Sequence, residues 1–367
     1  MKYRNVYIAA TSQHVGKTTS TLGLVAAFKE RGLNVGYCKP VGQKYLHVDN
    51  KIVDKDTVLF ADLLNLDIEP TIHSPVIFNR GVTKKYIENP EMYGDIKKNI
   101  VHASQILSKK HEIVVYEGTG HPGVGSVGNV SNADVAKLLD AYVVMVVEGG
   151  IGSTIDQLNL CCSLFREQNV PIIGVIVNKV KEEYLDKVAY YLEKKFSEMN
   201  LPLLGCIPYD KSLAYPLMKT IASTINASVI MNEDHLNNKV ADYLAGSLTD
   251  LEKIDKLEDI LMVVSSRRGN EAITRLEVLK KTRNIEQETP LAGIVVTGTE
   301  KLEGKIVEYA EKYKVPVLRT FLDTYEVVLK ISRIEVKINI NTPWKIQRAI
   351  ELIKTNVDHE KILERLT

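Results

Sequence analysis

Residues 6–19, VYIAATSQHVGKTT, limit what this chain can become more than any other stretch. An apolar run that reads as a buried strand passes into a polar turn, and the turn opens a helix at Gly-Lys-Thr. Gly16, Lys17 and Thr18 fill the last positions of the phosphate-binding pattern G-x-x-x-x-G-K-[ST], whose first glycine is replaced by Thr11. Each residue type has a physical task. Backbone N–H groups at a helix N-terminus, with the helix dipole behind them, hold phosphate oxygens. The lysine brings mobile positive charge to the β- and γ-phosphates, and the hydroxyl reaches Mg²⁺. Thr11, Ser12, Gln13, His14, Val15, Gly16, Lys17, Thr18 and Thr19 are therefore the expected nucleotide cradle.

The rest of the chain supplies the layers such a loop needs. Short apolar runs at NVYIAA, NVGYCK, EIVVYE, AYVVMVVE, PIIGVIVN and LLGCIP alternate with helical segments, the pattern of a parallel α/β sheet. In the first helix Leu22, Val25, Ala26 and Phe28 share one expected apolar face, and Gly32 ends it. Beyond residue 215 smaller units begin: strands at ILMVVSS, LAGIVVTG and VPVLRT, and helices over 270–282, 301–312 and 324–333. A last helix starts with Thr342 as N-cap and Pro343 at the first helical position. At 367 residues the chain exceeds one ordinary core, and the expected division is 1–217 and 218–367, with the last helix in the second domain.

Charge and cysteines exclude several classes. With 47 basic and 46 acidic side chains the net charge is +1, which gives no footprint for nucleic acid or an anionic membrane surface. No stretch approaches the ~20 apolar residues of a membrane helix, and the N-terminal apolar run is too short for a signal peptide, so a cytoplasmic protein is expected. Cys38, Cys161, Cys162 and Cys206 lack metal-ligand spacing and read as buried free thiols.

Three further strand ends carry chemistry. Lys39 closes the second strand, on the edge where ligands bind in such sheets. Glu117 ends the third strand ahead of a glycine-rich loop, suited to Mg²⁺ beside phosphates. Asn178 and Lys179 end another strand, and the asparagine amide can read a base edge.

The order A-T-S-Q-H-V-G-K-T, G-Y-C-K-P-V, E-G-T-G, V-N-K, G-C-I-P resembles the P-loop NTPase fold of dethiobiotin synthetase, a parallel sheet with helices on both faces. SNADVAKLLDAYVVMVVEGGIGSTIDQL is similar to the corresponding N-terminal region of long bacterial phosphotransacetylases, and residues 218–340 resemble the smaller α/β DRTGG domain that follows it there. The resemblance implies ATP and Mg²⁺ as cofactors and a homodimer. It assigns Lys17 and Lys39 to the transferring phosphates, Thr18, Asp56 and Glu117 to the metal, and Asn178 to adenine. It also explains Thr11, because dethiobiotin synthetases carry threonine there and a glycine one step earlier, where this chain has Ala10.

The chain departs from the synthetases at Ser12, where they carry aspartate, and at Gln43, where they carry a hydroxyl residue. No cysteine follows Cys206 to serve a glutaminase domain, and the acetyltransferase domain of phosphotransacetylases would have to follow where this sequence stops. The expected function is an ATP-binding and ATP-hydrolysing protein with a regulatory second domain; the alternative is a ligase that activates a carboxylate or carbamate as an acyl phosphate. Arg267 and Arg268, where the DRTGG pattern departs to SSRRGN, are candidates for a small anionic ligand or a protein partner.

Overall fold

The computed structural model describes residues 3–79, 81–245, 257–284, 287–302, 304–334 and 336–367. Two compact units result: Met1–Asp210 together with Ile338–Thr367, and Lys211–Lys337.

In the first unit six strands form one parallel sheet: β1 (Val6–Ala10), β2 (Val35–Cys38), β3 (Ile113–Glu117), β4 (Tyr142–Glu148), β5 (Ile172–Val180) and β6 (Leu203–Pro208). Their spatial order is β6-β5-β4-β1-β3-β2. The strands are runs of Val and Ile without alternation because helices cover both faces, and β1 and β3 are buried at every position. The principal helices here are α1 (Lys17–Glu30), α2 (Lys55–Leu64), α3 (Ile96–Lys110), α4 (Asn132–Leu138), α5 (Gly152–Glu167) and α6 (Leu185–Glu198). A hairpin of Tyr45–Val48 and Lys51–Asp54, absent from the sequence reading, leads into α2. With β2 and β3 on one side of β1 and β4 to β6 on the other, the order reverses at β1. Ligands of open parallel sheets bind at such a reversal, beyond the strand C-termini.

The second unit has a five-stranded sheet of β7 (Ser228–Met231), β8 (Asp242–Ala245), β9 (Ile260–Ser265), β10 (Leu291–Thr297) and β11 (Val317–Thr320), in the order β7-β11-β10-β9-β8. Only β7 runs antiparallel to its neighbour. Its helices are α7 (Met218–Thr224), α8 (Gly269–Thr282), α9 (Lys305–Tyr313) and α10 (Thr324–Ser332). The two-residue period of a strand sends Met262, Val264, Ile294 and Val296 to α8 and α9, and Leu261, Val263 and Val295 to α7 and α10.

After this unit the chain returns to the first as α11 (Pro343–Asn356) and α12 (His359–Leu366). This corrects the placement of the last helix in the second domain. It also corrects the reading of α1 as one-sided: Leu22, Gly23, Leu24, Val25, Ala26, Ala27 and Phe28 are all buried, because α11 covers the side that the sheet does not. The approach is close. A β-carbon on Gly23 would fall 2.1 Å from Ile353 Cβ, and one on Gly205 of β6 would fall 1.9 Å from the Asn356 carbonyl oxygen. Thr342 and Pro343 stand at N-cap and first helical position as expected, but the threonine side chain does not cap α11. Its Oγ1 donates to Asn339 O at 2.8 Å and accepts from Asn339 N at 3.0 Å.

All four cysteines are free thiols, but Cys161 and Cys206 are only partly buried, unlike Cys38 and Cys162. Among the described residues no helix is long and apolar enough to cross a membrane.

Gly23→Val is expected to destabilise the protein by about 1–3 kcal/mol, the usual range for overpacking. Urea unfolding followed by the emission of Trp344, the single tryptophan and a residue of α11, measures it. An unchanged midpoint would show that α11 does not need this contact.

Candidate functional site

The site is assembled from the C-terminal ends of β1, β2, β3 and β5. The loop after β1 is tightly determined. His14 (φ 61°) and Gly16 (φ 111°) both take left-handed backbone. A β-carbon on Gly16 would lie 2.0 Å from Asn178 Nδ2, so both space and backbone demand glycine. Thr11 and Val15 are buried, whereas Ser12, Gln13 and His14 are exposed, and Thr18 and Thr19 are half-buried. Lys17 Nζ donates to Ser12 O and to Gly120 O, each at 2.9 Å, and so ties the loop to the glycine-rich segment after β3.

Glu117 is the centre of the charge arrangement and is only 1% exposed. Its Oε1 accepts from Thr18 Oγ1 at 2.9 Å and lies 3.2 Å from Lys39 Nζ. Lys39 also ion-pairs with Asp56 Oδ2. Burial by itself would lower the Lys39 ammonium, but Asp56 and then Glu117 outweigh burial and hold it well above the ordinary lysine value. Asp54, the N-cap of α2, accepts from Asp56 N at 2.9 Å. Burial, partly offset by Lys39 and reinforced by Asp56, raises the Asp54 carboxyl to about 6. Tyr37 of β2 stacks on Phe60 of α2 with centroids 3.8 Å apart, which brings Asp56 on the first turn of α2 to Lys39.

A divalent cation suits these donors. Glu117 Oε2 is buried with no hydrogen-bond partner among the described residues. Asp56, Glu117 and Thr18 are oxygen donors of the kind Mg²⁺ takes alongside its own waters. Among the described residues no three His, Cys, Asp or Glu side chains gather as a free-standing metal cluster. A site with two carboxylates and a hydroxyl fits an ion that arrives with phosphate oxygens.

The two nucleotide-site candidates at the end of β5 are placed differently from each other. Asn178 is buried, and its Nδ2 donates to Val15 O at 2.7 Å, so the donor end of its amide braces the phosphate loop. Lys179, left-handed at φ 61°, extends to Glu148 at 3.5 Å and does not join the other charges. In the second unit Arg267 Nε pairs with Glu300 at 2.7 Å on an open surface.

Asn132, at the start of α4, was not singled out from the sequence. Its Oδ1 accepts from Tyr7 Oη at 2.8 Å and from Thr119 N at 3.0 Å. Its Nδ2 donates to Thr119 O at 2.8 Å and His121 O at 2.6 Å. One side chain thus fixes the loop that offers Gly120 O to Lys17. The S-x-x-D capping box of Ser131 and Asp134 marks the helix start in the sequence, but nothing local tells that Asn132 faces back to β1.

With this geometry in place, relatives become informative. Residues 4–216, more than half of the chain, match the family described as an AAA domain. The chain belongs to that family. Residues 220–334 match the DRTGG domain. Over 98% of its length this AAA–DRTGG chain is 22% identical to the phosphate acetyltransferase of Nitrosomonas europaea, of which it covers 51%. It is 28% identical to the ATP-dependent dethiobiotin synthetase of Clostridium kluyveri over 49% of this chain and 76% of that one. The chain spans about half the length of the curated phosphate acetyltransferases it matches. Among solved structures, a putative plasmid partition protein of Borrelia burgdorferi bound to AMPPNP aligns with 58% of this chain and 90% of its own, at 16% identity and a TM-score of 0.40. The AAA domain is thus a P-loop NTPase fold with a smaller α/β domain beside it in sequence.

Asn132→Ala is expected to cost roughly 2–4 kcal/mol, because it strands buried donors and acceptors rather than merely deleting contacts. Chemical denaturation of the variant against the wild type tests this. A loss below about 0.5 kcal/mol, the level of an ordinary surface change, would remove Asn132 from the frame of the site.

Proposed function

We propose that the first unit binds Mg·ATP and hydrolyses it, and that the DRTGG domain couples the nucleotide to a small anionic ligand or a protein partner. The observation that supports this most directly is that Thr18 and Lys39 meet at Glu117 Oε1, with Asp56 paired to Lys39, while the other carboxylate oxygen of Glu117 is buried without a hydrogen-bond partner among the described residues. In this reading Lys17 and Lys39 neutralise the oxygens of the transferring phosphoryl group, where positioning and charge do most of the work. Thr18, Asp56 and Glu117 hold Mg²⁺, directly or through its waters, and the metal supplies further neutralisation of the phosphates.

Asn178 gives the base preference. Nδ2 is turned to Val15 O, to which it donates one of its two N–H groups, and the carbonyl end of the amide is the end left to face a base. An acceptor suits the adenine amino group and opposes the guanine carbonyl oxygen. ATP is expected to bind about tenfold tighter than GTP, the worth of one net hydrogen bond of ~1.4 kcal/mol. Equal affinities in a competition titration would remove Asn178 from base recognition.

The match of nearly all of this chain to about half of the phosphate acetyltransferase of Nitrosomonas europaea supports a nucleotide-responsive module working beside acyl-phosphate chemistry. The likeness to dethiobiotin synthetase favours ATP-dependent activation of a carboxylate or carbamate as the second reading, against which Ser12 and Gln43 stand.

Lys17→Ala is expected to weaken a fluorescent ATP analogue by roughly a hundredfold, the loss of a charge-assisted phosphate contact of a few kcal/mol. Wild-type affinity in the folded variant would overturn the phosphate-loop reading. Glu117→Gln keeps shape and removes charge, so phosphate release should fall far more than nucleotide affinity. Turnover at the wild-type rate would reduce Glu117 to a structural role, and ATP-dependent consumption of a carboxylate or amine would favour the ligase.

A further inference from the structure

We propose that Lys39 and a divalent metal ion exclude each other at Asp56 and Glu117, so that metal enters this site only with an anion that takes Lys39 over. Metal and nucleotide then bind as an obligatorily coupled pair. This rests on the Mg·ATP reading above and adds to it a mechanism for the order of loading.

The contacts carry the inference. Lys39 Nζ is held between Asp56 Oδ2 and Glu117 Oε1, and the side chains of the three residues are 7%, 10% and 1% exposed. The second partner of Glu117 Oε1 is Thr18 Oγ1 at 2.9 Å. The oxygens best placed for a cation are thus already shared with an ammonium, and of Glu117 only Oε2 lacks a partner among the described residues.

An ion of charge +2 at these oxygens would sit within a few ångströms of the Lys39 charge in a buried setting, where repulsion is poorly screened. Moving Lys39 aside without a new partner would leave a buried charge unpaired, which is more costly still. Lys39 is 5% exposed and its backbone N–H is fixed to His73 O at 2.9 Å, so the ammonium has little freedom to reach water by itself. Phosphate oxygens remove the conflict: they accept the ammonium and add negative charge for the metal. By linkage, the factor by which nucleotide raises metal affinity is the factor by which metal raises nucleotide affinity.

The test is made on the full chain without nucleotide, with Mn²⁺ as the probe and free Mn²⁺ read by its electron paramagnetic resonance signal. Lys39→Met removes the ammonium and keeps most of its aliphatic volume. It is expected to bind Mn²⁺ alone at least about tenfold tighter than the wild type, within the usual range of coupling between sites. Lys39→Gln, which can still hydrogen-bond both carboxylates, should show the same gain and serves if the methionine variant does not fold. In the wild type an ATP analogue should raise Mn²⁺ retention well beyond what the analogue binds in free solution. Folded Lys39 variants with wild-type Mn²⁺ affinity would overturn the exclusion while leaving the Mg·ATP reading intact. So would a wild type that binds Mn²⁺ alone as tightly as the variants do. If the wild type retains neither Mn²⁺ nor the analogue when both are present, the Mg·ATP reading fails instead, and the exclusion with it.

Discussion

A carboxylate 1% exposed at the end of an interior strand needs hydrogen-bond and ion-pair partners, and much of the first unit is arranged around that requirement at Glu117. Lys39 arrives from the end of β2, Thr18 from the first turn of α1, and Asp56 through Lys39 from the first turn of α2. Each arrival fixes where an element must begin. The Tyr37–Phe60 stack holds α2 against β2, and Asn178 props the loop that starts α1. Geometry that looks like preparation for a ligand is, in energetic terms, also the solution to a buried-charge problem.

The sequence made the sheet of the first unit readable because a parallel strand covered on both faces is a continuous apolar run. All six runs singled out became strands, and the residues at their ends, Lys39, Glu117 and Asn178, lie beside the loop at Lys17. Three features were not readable, each for a physical reason. Asn132 works through four hydrogen bonds to residues distant or backward in sequence, which no local pattern encodes. Asn178 offered an amide but gave no sign which end was already spent. The covering of α1 by α11 joins residues more than three hundred positions apart, and its trace in the sequence was Gly23 within the uninterrupted apolar run 22–28.

The second unit was legible in its strands but less so in its chemistry. Its alternating inward residues divide cleanly between two helical layers, as the period of a strand requires. Arg267 and Arg268 stand at the end of β9, yet Arg267 is engaged with Glu300 on an exposed surface, where ion pairs contribute little to stability. Residues 220–334 of this unit match the DRTGG domain, and Ser266–Arg268 forms a single helical turn that leads from β9 into α8.

The return of residues 338–367 to the first unit carries a consequence for how the protein is made. During synthesis the ribosome delivers β1 to β6 first, then the whole of Lys211–Lys337, and only then the helix that covers α1. Until that moment the outer side of α1, with Gly23 and Leu24, lacks its covering from α11. The nascent nucleotide-binding unit therefore waits on the complete emergence of a second unit whose core it does not share. Genetic excision of 211–337 with its ends rejoined respects this wiring, whereas cutting the chain after residue 210 removes a structural wall of the first unit.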